Sequence, residues 1–451
     1  MMPKERSPGM KLFMAGLVAA ALIVPLMMVY SLVWDRESQS ERAQSQITAG
    51  WGGVQTVTGP MLVIPYVDEI VETETVDGVT QERRRTVRRE LFLSPLEQSI
   101  ETQIEPDRRG YAIHESVVYQ SDMSGAAQFV LTDNLERLDI ARDDLLLDAA
   151  ELRFGISDPR GLTDGVSVVA DGEETQLSPG NGPGATGGSG FSAPVSWSEQ
   201  EPLEVSWQYG LRGSQSLSLI PRGGETSWQV TSPWPHPSFT GEHVPDEREV
   251  MPEGFTATYG GITNLALGER LLSTSDAGVV SDGNSNYQPV TVGLVDPVDL
   301  YSQVDRAVKY GFLFIGLTFA AYLMFDVVGG ARVAAAEYLL TGAGLVLFFV
   351  MLLAFAEVVG FALAYVIAAA AIIGLLTAYS AAILGTWKRA GFIGAMLAGL
   401  YALLFVLLSL ETLSLVIGAL LLFGALAAIM YGTRNVDWSA VRGADDEEAL
   451  T

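Results

Sequence analysis

The stretch DPVDLYSQVDRAVKYGFLFIGLTF, Asp296 to Phe319, joins a charged segment directly to an apolar one. Its first half, up to Lys309, carries five charges, and its second half carries none. No Gly/Ser-rich linker separates the two halves. The stretch therefore marks the point where a polar part of the chain passes into a membrane part.

Helical spacing explains how the two halves are joined. Apolar residues recur at three- and four-residue steps, as on one face of a helix: Val298, Tyr301, Val304 and Val308. Pro297 suits a first helical turn, and Asp305 precedes Lys309 by four residues, the favoured order for an ion pair. The sequence predicts one continuous helix over 298–328, from a juxtamembrane segment into a membrane span.

The composition is that of an acidic membrane protein. Hydrophobic residues make up 49% of the 451 residues, and the mean hydropathy is +0.27. Asp and Glu number 53 against 27 Lys and Arg, a net charge of −26, which repels phosphate backbones and excludes nucleic acid as a partner. The absence of Cys excludes disulfides and thiolate metal sites.

The first apolar run, Leu12 to Trp34, is longer than the apolar core of a signal peptide, which has about 7–15 residues. It is long enough to cross a bilayer core of about 30 Å. Lys4, Arg6 and Lys11 precede it. We interpret 12–34 as an uncleaved first span, with residues 1–11 in the cytoplasm.

Five more apolar runs follow residue 310. The predicted spans are 298–328 with its juxtamembrane start, 336–356, 358–384, 391–410 and 412–432. Basic residues occupy alternate connections and the tail, which carry Arg332, Lys388, Arg389 and Arg434. The positive-inside rule then predicts cytoplasmic termini, an acidic cytoplasmic tail over 433–451, and residues 35–300 outside the inner membrane, in the periplasm.

Residues 35–300 read as a mainly-β, sandwich-like domain. Short strand-like runs alternate with turn residues: YAIHESVVY, AAQFVLT, ELRFGIS, VSVVA, LEVSWQYGL, SLSLIP, SWQVT and FTATYG. Residues 171–194 are rich in Gly, Pro and Ser and predict a flexible surface loop. The run over 135–149 fits either a helix or a helix followed by a strand.

A hairpin is predicted around Asp77-Gly78, a favoured two-residue turn. That turn pairs Val76 with Val79 and Glu72 with an arginine. One face then brings acids opposite bases: Asp68, Glu72 and Glu74 against Arg83, Arg85 and Arg89. The arginines could also form a polyanion site, but their own partner strand supplies the acids, which favours a charge-matched hairpin.

No catalytic or cofactor motif is present. The chain has no nucleophile elbow, P-loop, HExxH or strand-linked GxGxxG. His236 and His243, with Glu242 and Asp246 nearby, are candidate zinc ligands, but their spacing matches no standard zinc motif, and the remaining histidine is His114. We therefore predict no enzyme activity and no cofactor, which leaves a hydrolase as the least favoured class.

Carboxylates near the spans are predicted at span ends, where water reaches them: Asp326, Glu337, Glu357 and Glu411. This placement argues against a charged path across the membrane. Gly391, Ala395 and Gly399 have small-xxx-small spacing, which predicts close helix packing.

Several motifs resemble the inner-membrane CreD family of cell envelope integrity, or colicin-tolerance, proteins. They are WGGVQTVTGPMLVIPY from Trp51, SPWPHPSFTGEHVPDER with GFTATY, the opening stretch, and RNVDW near the end. The matching positions are Trp51, Gly52, Gln55, Gly59, Pro60, Pro233, Trp234, Pro235, His236, Pro237, Phe239, Gly254, Phe255, Asp296, Pro297, Tyr301, Arg306, Lys309, Tyr310, Gly311, Glu357, Asp437 and Trp438.

The chain departs from the family pattern near the membrane. The family usually has Glu at the position of Asp326 and an HPxQY motif where this chain reads AAAEY, Ala334 to Tyr338. It usually has His where Val358 stands. Without those histidines, a proton relay through them is excluded here.

The resemblance implies an inner-membrane protein linked to envelope integrity. From the residues alone we predict a periplasmic binding or sensing domain on a six-helix scaffold, with the lipid bilayer and an unidentified envelope protein as partners. The alternative is a transporter or lipid-handling bundle with a periplasmic adaptor domain.

Overall fold

The structure is a computed structural model. It describes residues 8–76, 79–111, 114–131, 133–198, 201–268, 270–276, 287–295, 300–327, 333–409 and 414–434. The chain divides into two compact units. The helical unit is Met1–Glu41 with Val298–Thr451, and the β unit is Arg42–Pro297.

The described part of the β unit contains seventeen strands. In chain order they are β1 Gln55–Val76, β2 Val79–Leu93, β3 Glu97–Tyr111, β4 His114–Phe129, β5 Ala150–Ile156, β6 Ser167–Ala170, β7 Glu173–Glu174, β8 Ser178–Pro179, β9 Gly190–Val195, β10 Leu203–Ser214, β11 Ser216–Ile220, β12 Glu225–Ser232, β13 Pro237–Gly241, β14 Glu247–Met251, β15 Gly254–Thr263, β16 Leu272–Ser273 and β17 Val290–Leu294.

These strands form two sheets. The first has the order β13-β17-β11-β1-β5-β9-β8, with β2 paired to β1 and β16 paired to β2. The second has the order β14-β15-β12-β3-β4-β10-β6-β7. Most pairs are antiparallel, while β1 with β11 and β12 with β3 run parallel.

One hydrophobic core lies between the sheets, which confirms the predicted sandwich. Strand β10 shows why the sequence folds this way. Its Val205, Trp207 and Tyr209 are buried, while the intervening Ser206 and Gln208 are exposed, the two-residue period of a half-buried strand. Alternation of this kind buries one face of a sheet and leaves the other for solvent or a ligand.

The charged hairpin is confirmed. Strands β1 and β2 pair in the predicted register, with Val76 opposite Val79 and Glu72 opposite Arg83. Near its base, Arg89 Nε lies 3.1 Å from Asp68 Oδ2. The turn residues themselves lie outside the described residues.

Three details of the β unit differ from the sequence prediction. The run 111–119 is not one strand, because β3 ends at Tyr111 and β4 begins at His114. The undecided run 135–149 forms short 3₁₀ segments, Asp133–Leu138, Arg142–Asp144 and Leu147–Ala149. Two further such segments are Pro159–Gly161 and Gly184–Thr186.

The predicted flexible loop over 171–194 is the third difference. It contains β7, β8 and most of β9. Phe191 is buried there and stacks on Phe154 with ring centroids 4.8 Å apart. Composition alone missed this because one aromatic anchor is enough to draw a Gly-rich segment into the core.

Eight helices lie within the described residues. They are α1 Pro8–Ala49, α2 Asn264–Leu267, α3 Leu300–Lys309, α4 Gly311–Val327, α5 Ala335–Val359, α6 Phe361–Leu384, α7 Trp387–Ser409 and α8 Ser414–Thr433. Five segments in the described part are long and apolar enough to cross a membrane: Gly9–Ala49, Leu300–Asp326, Ala335–Val359, Phe361–Leu384 and Trp387–Leu408. The sixth predicted span corresponds to α8, a helix of 20 residues.

Helix α1 is longer than its predicted span. It continues from Trp34 to Ala49, and its last turns belong to the β unit. There Gln44 Nε2 donates to the main-chain oxygen of Glu115 on β4, at 3.0 Å. The domain predicted to begin at residue 35 therefore starts with a polar helical extension.

The predicted continuous helix over 298–328 is interrupted at Tyr310, between α3 and α4. The Tyr310 N–H bonds to the oxygen of Ala307, a tighter three-residue step, and Gly311 follows. A Cβ on Gly311 would lie 2.8 Å from Leu26 Cδ1 on α1, so the packing of α1 favours glycine at this position. Glycine has a low helix propensity, which agrees with the interruption of the helix here. The predicted ion pair is confirmed, with Lys309 Nζ 2.6 Å from Asp305 Oδ2.

The small-xxx-small prediction is wrong for this chain's own packing. Gly391, Ala395 and Gly399 are exposed along α7. Gly394 packs instead, because a Cβ there would lie 2.5 Å from Thr377 Oγ1 on α6. The close approach of α6 and α7 thus uses a different face of α7.

Candidate functional site

A band of polar side chains crosses the outer face of the second sheet. Strand pairing aligns Gln229, Glu101, Ser124, Gln208 and Ser167 in one transverse row over β12, β3, β4, β10 and β6. These positions alternate with core residues, so their side chains point away from the sandwich. We call this surface the polar sheet face.

Two open cavities lie on the polar sheet face. Their volumes are about 330 and 430 Å³, and both are lined by Glu101, Ser124 and Gln208. The charged residues that line them are Glu101 and Asp122. Amide, hydroxyl and carboxylate groups supply both donors and acceptors, an arrangement suited to an uncharged, hydrogen-bonding ligand.

The first family motif forms a buried joint around Gln55, which is fully buried. Its Nε2 lies 2.7 Å from the oxygen of Gly52, 3.1 Å from that of Asp158 and 3.0 Å from that of Arg212. Its Oε1 accepts from Ser157 Oγ at 3.2 Å and from the Asp158 N–H at 3.3 Å. This side chain replaces main-chain pairing between segments, which is a structural role.

Trp51 lies beside this joint, close to two arginines. The guanidinium carbons of Arg109 and Arg212 are 3.6 and 4.8 Å from the indole centroid. The indole N–H donates to the Tyr119 oxygen at 3.1 Å. Gly59 and Pro60, from the same motif, are buried within β1.

The second motif is also structural where it is described. Trp234 is buried, and its indole N–H donates to the Val295 oxygen at 3.0 Å. Phe239 and Phe255 meet edge to face at 5.6 Å. Gly254 has φ +148°, which favours glycine. Pro233 and Pro235 flank Trp234, and Pro237 begins β13.

The candidate zinc ligands do not converge. Among the described residues no group of three or more His, Asp or Glu side chains is placed to hold a metal ion. Asp246 Oδ2 instead accepts from the Gly260 N–H at 2.7 Å. His236 and His243 therefore have no metal-binding arrangement within the described part of the β unit.

The third motif ties helices of the helical unit together. The Tyr301 hydroxyl donates to Glu357 Oε1 at 3.3 Å, and Arg36 Nε lies 4.0 Å from the same oxygen. Arg306 Nε reaches the Ser302 oxygen at 3.4 Å. Glu357 thus connects α1, α3 and α5. Asp296, Pro297, Glu411, Asp437 and Trp438 lie outside the described residues.

A buried polar cluster lies inside the helical unit, where the sequence predicted water-accessible carboxylates. Asp326 lies at the end of α4 as predicted, but it is 2% exposed, so the predicted access of water to it is wrong. Lys11 Nζ lies 2.8 Å from Asp326 Oδ1 and 3.2 Å from its main-chain oxygen. Hydroxyl residues from three helices complete the cluster: Thr318, Tyr322, Tyr338, Thr341 and Ser380. We call these seven residues the hydroxyl–carboxylate cluster.

Direct contacts join part of this cluster. The Tyr322 hydroxyl bonds to Ser380 Oγ, and Ser380 Oγ donates to the Leu376 oxygen at 2.5 Å. The rings of Tyr322 and Tyr338 lie 6.1 Å apart. Within the described residues, Asp326 Oδ2, Thr318 Oγ1 and the Tyr338 hydroxyl are buried without a hydrogen-bond partner. Buried polar atoms without a hydrogen-bond partner are rare in folded proteins, so these atoms mark a candidate functional site.

The positions of charged residues did not predict this cluster, because five of its seven members are uncharged. The available signal was spacing. Thr318, Tyr322 and Asp326 recur at four-residue steps on α4, and Tyr338 and Thr341 at a three-residue step on α5. A polar stripe on each of two spans indicates helices that face one another through polar groups.

An ion-pair group on the first sheet contains Glu151, whose carboxyl has a shifted pKa. Burial raises the pKa of Glu151, but the neighbouring Ser192 hydroxyl and the Arg153 guanidinium outweigh burial and hold that pKa below its ordinary value. Arg153 lies 3.1 Å from Glu151 Oε2 and 2.6 Å from Glu90 Oε1. This group stabilises strand pairing.

Comparisons with known proteins agree with the motifs. The sequence model of the family described as "Inner membrane protein CreD" matches residues 7–439. The protein of that name from Escherichia coli strain K12 is 30% identical over 428 residues, which cover 93% of this chain and 91% of that protein.

The chain belongs to the CreD family. It is therefore an inner membrane protein, and the membrane-spanning lengths of its helices agree with that location. Asp326 and Tyr338, the last residue of the AAAEY segment, both belong to the hydroxyl–carboxylate cluster.

Solved structures give only a weak likeness. An M1 zinc metallopeptidase variant from Deinococcus radiodurans, bound to a Tyr-Ser-Ala substrate, has a TM-score of 0.24 at 9% identity, covering 45% of this chain and 42% of that one. A putative protease from Parabacteroides distasonis has a TM-score of 0.21 at 10% identity, covering 50% and 46%. This chain spans less than half of either protein, and nothing about its chemistry is drawn from them.

Proposed function

We propose that this CreD-family protein supports cell envelope integrity by binding an envelope ligand on the polar sheet face of a periplasmic β unit. The observation that carries the proposal is the pair of adjoining cavities that share Glu101, Ser124 and Gln208. The helical unit anchors this binding surface in the inner membrane. No catalytic step is part of the proposal.

The lining chemistry favours a hydroxyl-rich glycan as the ligand. Amide and hydroxyl side chains match the alternating donors and acceptors of sugar hydroxyls. The two negative charges, Glu101 and Asp122, disfavour phosphorylated or otherwise anionic ligands. Short side chains such as Ser124 and Ser206 leave room for a ligand to lie across the strands.

The proposed orientation follows from charge. Basic residues at Lys388 and Arg389 occupy the connection between α6 and α7, which the positive-inside rule places in the cytoplasm. The chain has no Cys, so single cysteines can be introduced without background labelling. A cysteine at Ser124 should react with an impermeant thiol reagent in cells with a permeabilised outer membrane, and one at Trp387 should not. The reverse pattern would contradict the orientation.

Binding is tested by filling the shared cavity. Ser124→Trp places a bulky side chain where the two cavities meet and should abolish complementation of an envelope-sensitivity phenotype in a deletion strain. Glu249→Trp, at an exposed position of the edge strand β14, is the matched control and should complement fully. If Ser124→Trp protein is present at normal levels and complements fully, the polar sheet face is not the site.

Ligand class is tested by photo-crosslinking from the same surface. A photoreactive residue at Gln208 should capture envelope glycan in living cells, and one at Glu249 should not. Capture of one defined protein, with no glycan, would replace the glycan with a protein partner.

A second function, transport or lipid handling, is favoured by one observation. The hydroxyl–carboxylate cluster buries polar atoms within the helical unit, where a purely structural anchor would be apolar. In proteoliposomes, substrate flux abolished by Asp326→Asn would support transport. Absence of flux for ions, lipids and sugars would leave binding as the function.

A further inference from the structure

We propose that the hydroxyl–carboxylate cluster is a binding site for one monovalent cation, and that the ammonium group of Lys11 occupies this site in the present structure. The proposal is independent of the polar sheet face. It assigns to the helical unit a ligand that the motifs do not indicate.

The position of the ammonium group is the first argument. Lys11 Nζ bonds to the Asp326 carboxylate at 2.8 Å and to the Asp326 main-chain oxygen at 3.2 Å. A carboxylate oxygen and a carbonyl oxygen are the ligands that hard cations prefer. The ammonium group therefore marks a point at which a positive charge is held by oxygen atoms.

Further oxygen atoms are available in the same cluster. Asp326 Oδ2 and the Tyr338 hydroxyl are buried and have no hydrogen-bond partner among the described residues. Tyr338 is 3% exposed. Buried polar atoms are normally satisfied by protein, water or an ion, so these two point to a bound species.

Charge selects a monovalent cation. Asp326 is the single carboxylate of the cluster, and Lys11 balances it with one positive charge. The nearby Glu337 is engaged elsewhere, since its Oε2 accepts from the Ala334 N–H at 2.7 Å. Divalent ions usually need more than one carboxylate or several His ligands, which the described residues do not assemble.

The two partners differ in how easily they leave. The Asp326 side chain is 1% exposed, and that of Lys11 is 23% exposed. Lys11 lies at the start of α1 on a flexible four-carbon stem, so its ammonium group can swing into water. The carboxylate stays buried and then requires another cation. Lys11 is thus a tethered occupant that a free cation can replace.

The wild-type protein provides the first test. Purified full-length protein in lipid nanodiscs is treated with an amine-acylating reagent in choline chloride, NaCl or KCl at equal ionic strength. Labelling of Lys11, read by mass spectrometry, should rise several-fold and saturate with Na⁺ or K⁺. Lys388, an exposed lysine outside the cluster, is the matched control and should be labelled equally in all three salts. Equal labelling of Lys11 in all salts overturns the proposal.

Direct binding provides the second test. Lys11→Met keeps the apolar stem and removes the tethered charge, so it should bind about one radioactive sodium or rubidium ion per chain. Lys11→Met/Asp326→Asn should bind at least about tenfold more weakly. Lys388→Met should behave as wild type.

Two results of the binding test would overturn the proposal. One is folded Lys11→Met protein that binds neither ion, and the other is undiminished binding by the double variant. If Lys11→Met does not fold, the labelling of wild-type Lys11 decides alone. Preference for sodium over rubidium, or the reverse, identifies which cation the site takes.

Discussion

Lys11 on α1 and Asp326 on α4 form an ion pair at 2.8 Å, 315 residues apart in the chain. The carboxylate is buried while the ammonium group is partly exposed. Further along α1, Arg36 Nε lies 4.0 Å from Glu357 Oε1 of α5. Two basic residues of α1 thus meet acidic residues of the bundle, which fixes the first helix against helices that follow the β unit in sequence.

Unequal burial predicts unequal effects of the two substitutions. In buffer without sodium or potassium, Lys11→Met leaves an unpaired buried carboxylate and should cost about 3–5 kcal/mol of unfolding free energy. Asp326→Asn leaves a lysine that can reach water and should cost about 1–3 kcal/mol. Unfolding of the full chain in detergent measures both.

A double-mutant cycle controls this comparison. Lys11→Met/Asp326→Asn removes both charges and should be more stable than Lys11→Met alone. Equal losses for the two single variants would show that the carboxylate reaches water.

Gln55 should be the most sensitive glutamine of the β unit. Gln55→Leu removes the partners of main-chain groups in Gly52, Asp158 and Arg212, and should cost about 3 kcal/mol or more. Gln120→Leu changes an exposed residue and should stay within about 0.5 kcal/mol of wild type. Tryptophan-monitored unfolding of the full chain compares them, and similar stabilities would refute the structural role of Gln55.

Two adjacent glycines allow a matched test of the first motif. Gly52 has φ +130°, and a Cβ there would lie 2.5 Å from the Arg212 oxygen. Gly53 has φ +59° with nothing within 4 Å of its Cβ. Gly53→Ala should cost about 1–2 kcal/mol for its left-handed conformation, and Gly52→Ala clearly more, because a steric clash adds to the strain. A larger loss at Gly53 would contradict this geometry.

Glu151 predicts a specific pH dependence. Its pKa is lower in the folded state than in the unfolded chain, because Ser192 and Arg153 outweigh the opposing effect of burial. The stabilisation is therefore present above the unfolded value of about 4.3 and is lost as the pH falls through the folded pKa. The stability difference between wild type and Glu151→Gln should be constant near neutral pH and shrink in acid. Urea unfolding across the acid range measures it, and a difference that grows in acid would reverse the assigned direction.

The β unit shows what local sequence signals can and cannot predict. The hairpin register was predictable because Asp77-Gly78 fixes the turn and the charges agree with it. The order of the strands within each sheet was not predictable from local signals. It depends on distant pairs such as β12 with β3, which run parallel and are separated by over 120 residues in the chain. The polar sheet face depends on that order, since it is assembled from five strands that are separated in sequence.

The helical unit shows the same division. Apolar run lengths and basic connections are properties of the sequence itself. The sequence alone therefore determined the spans, the resemblance at Tyr301 and Lys309, and the assignment as a membrane protein. Only the tertiary structure decided that Asp326 is buried against Lys11, and that α3 and α4 meet at Tyr310 instead of forming one helix. The physical reason is that hydropathy depends on each residue alone, whereas burial of a charge depends on a partner that packing brings from a distant part of the chain.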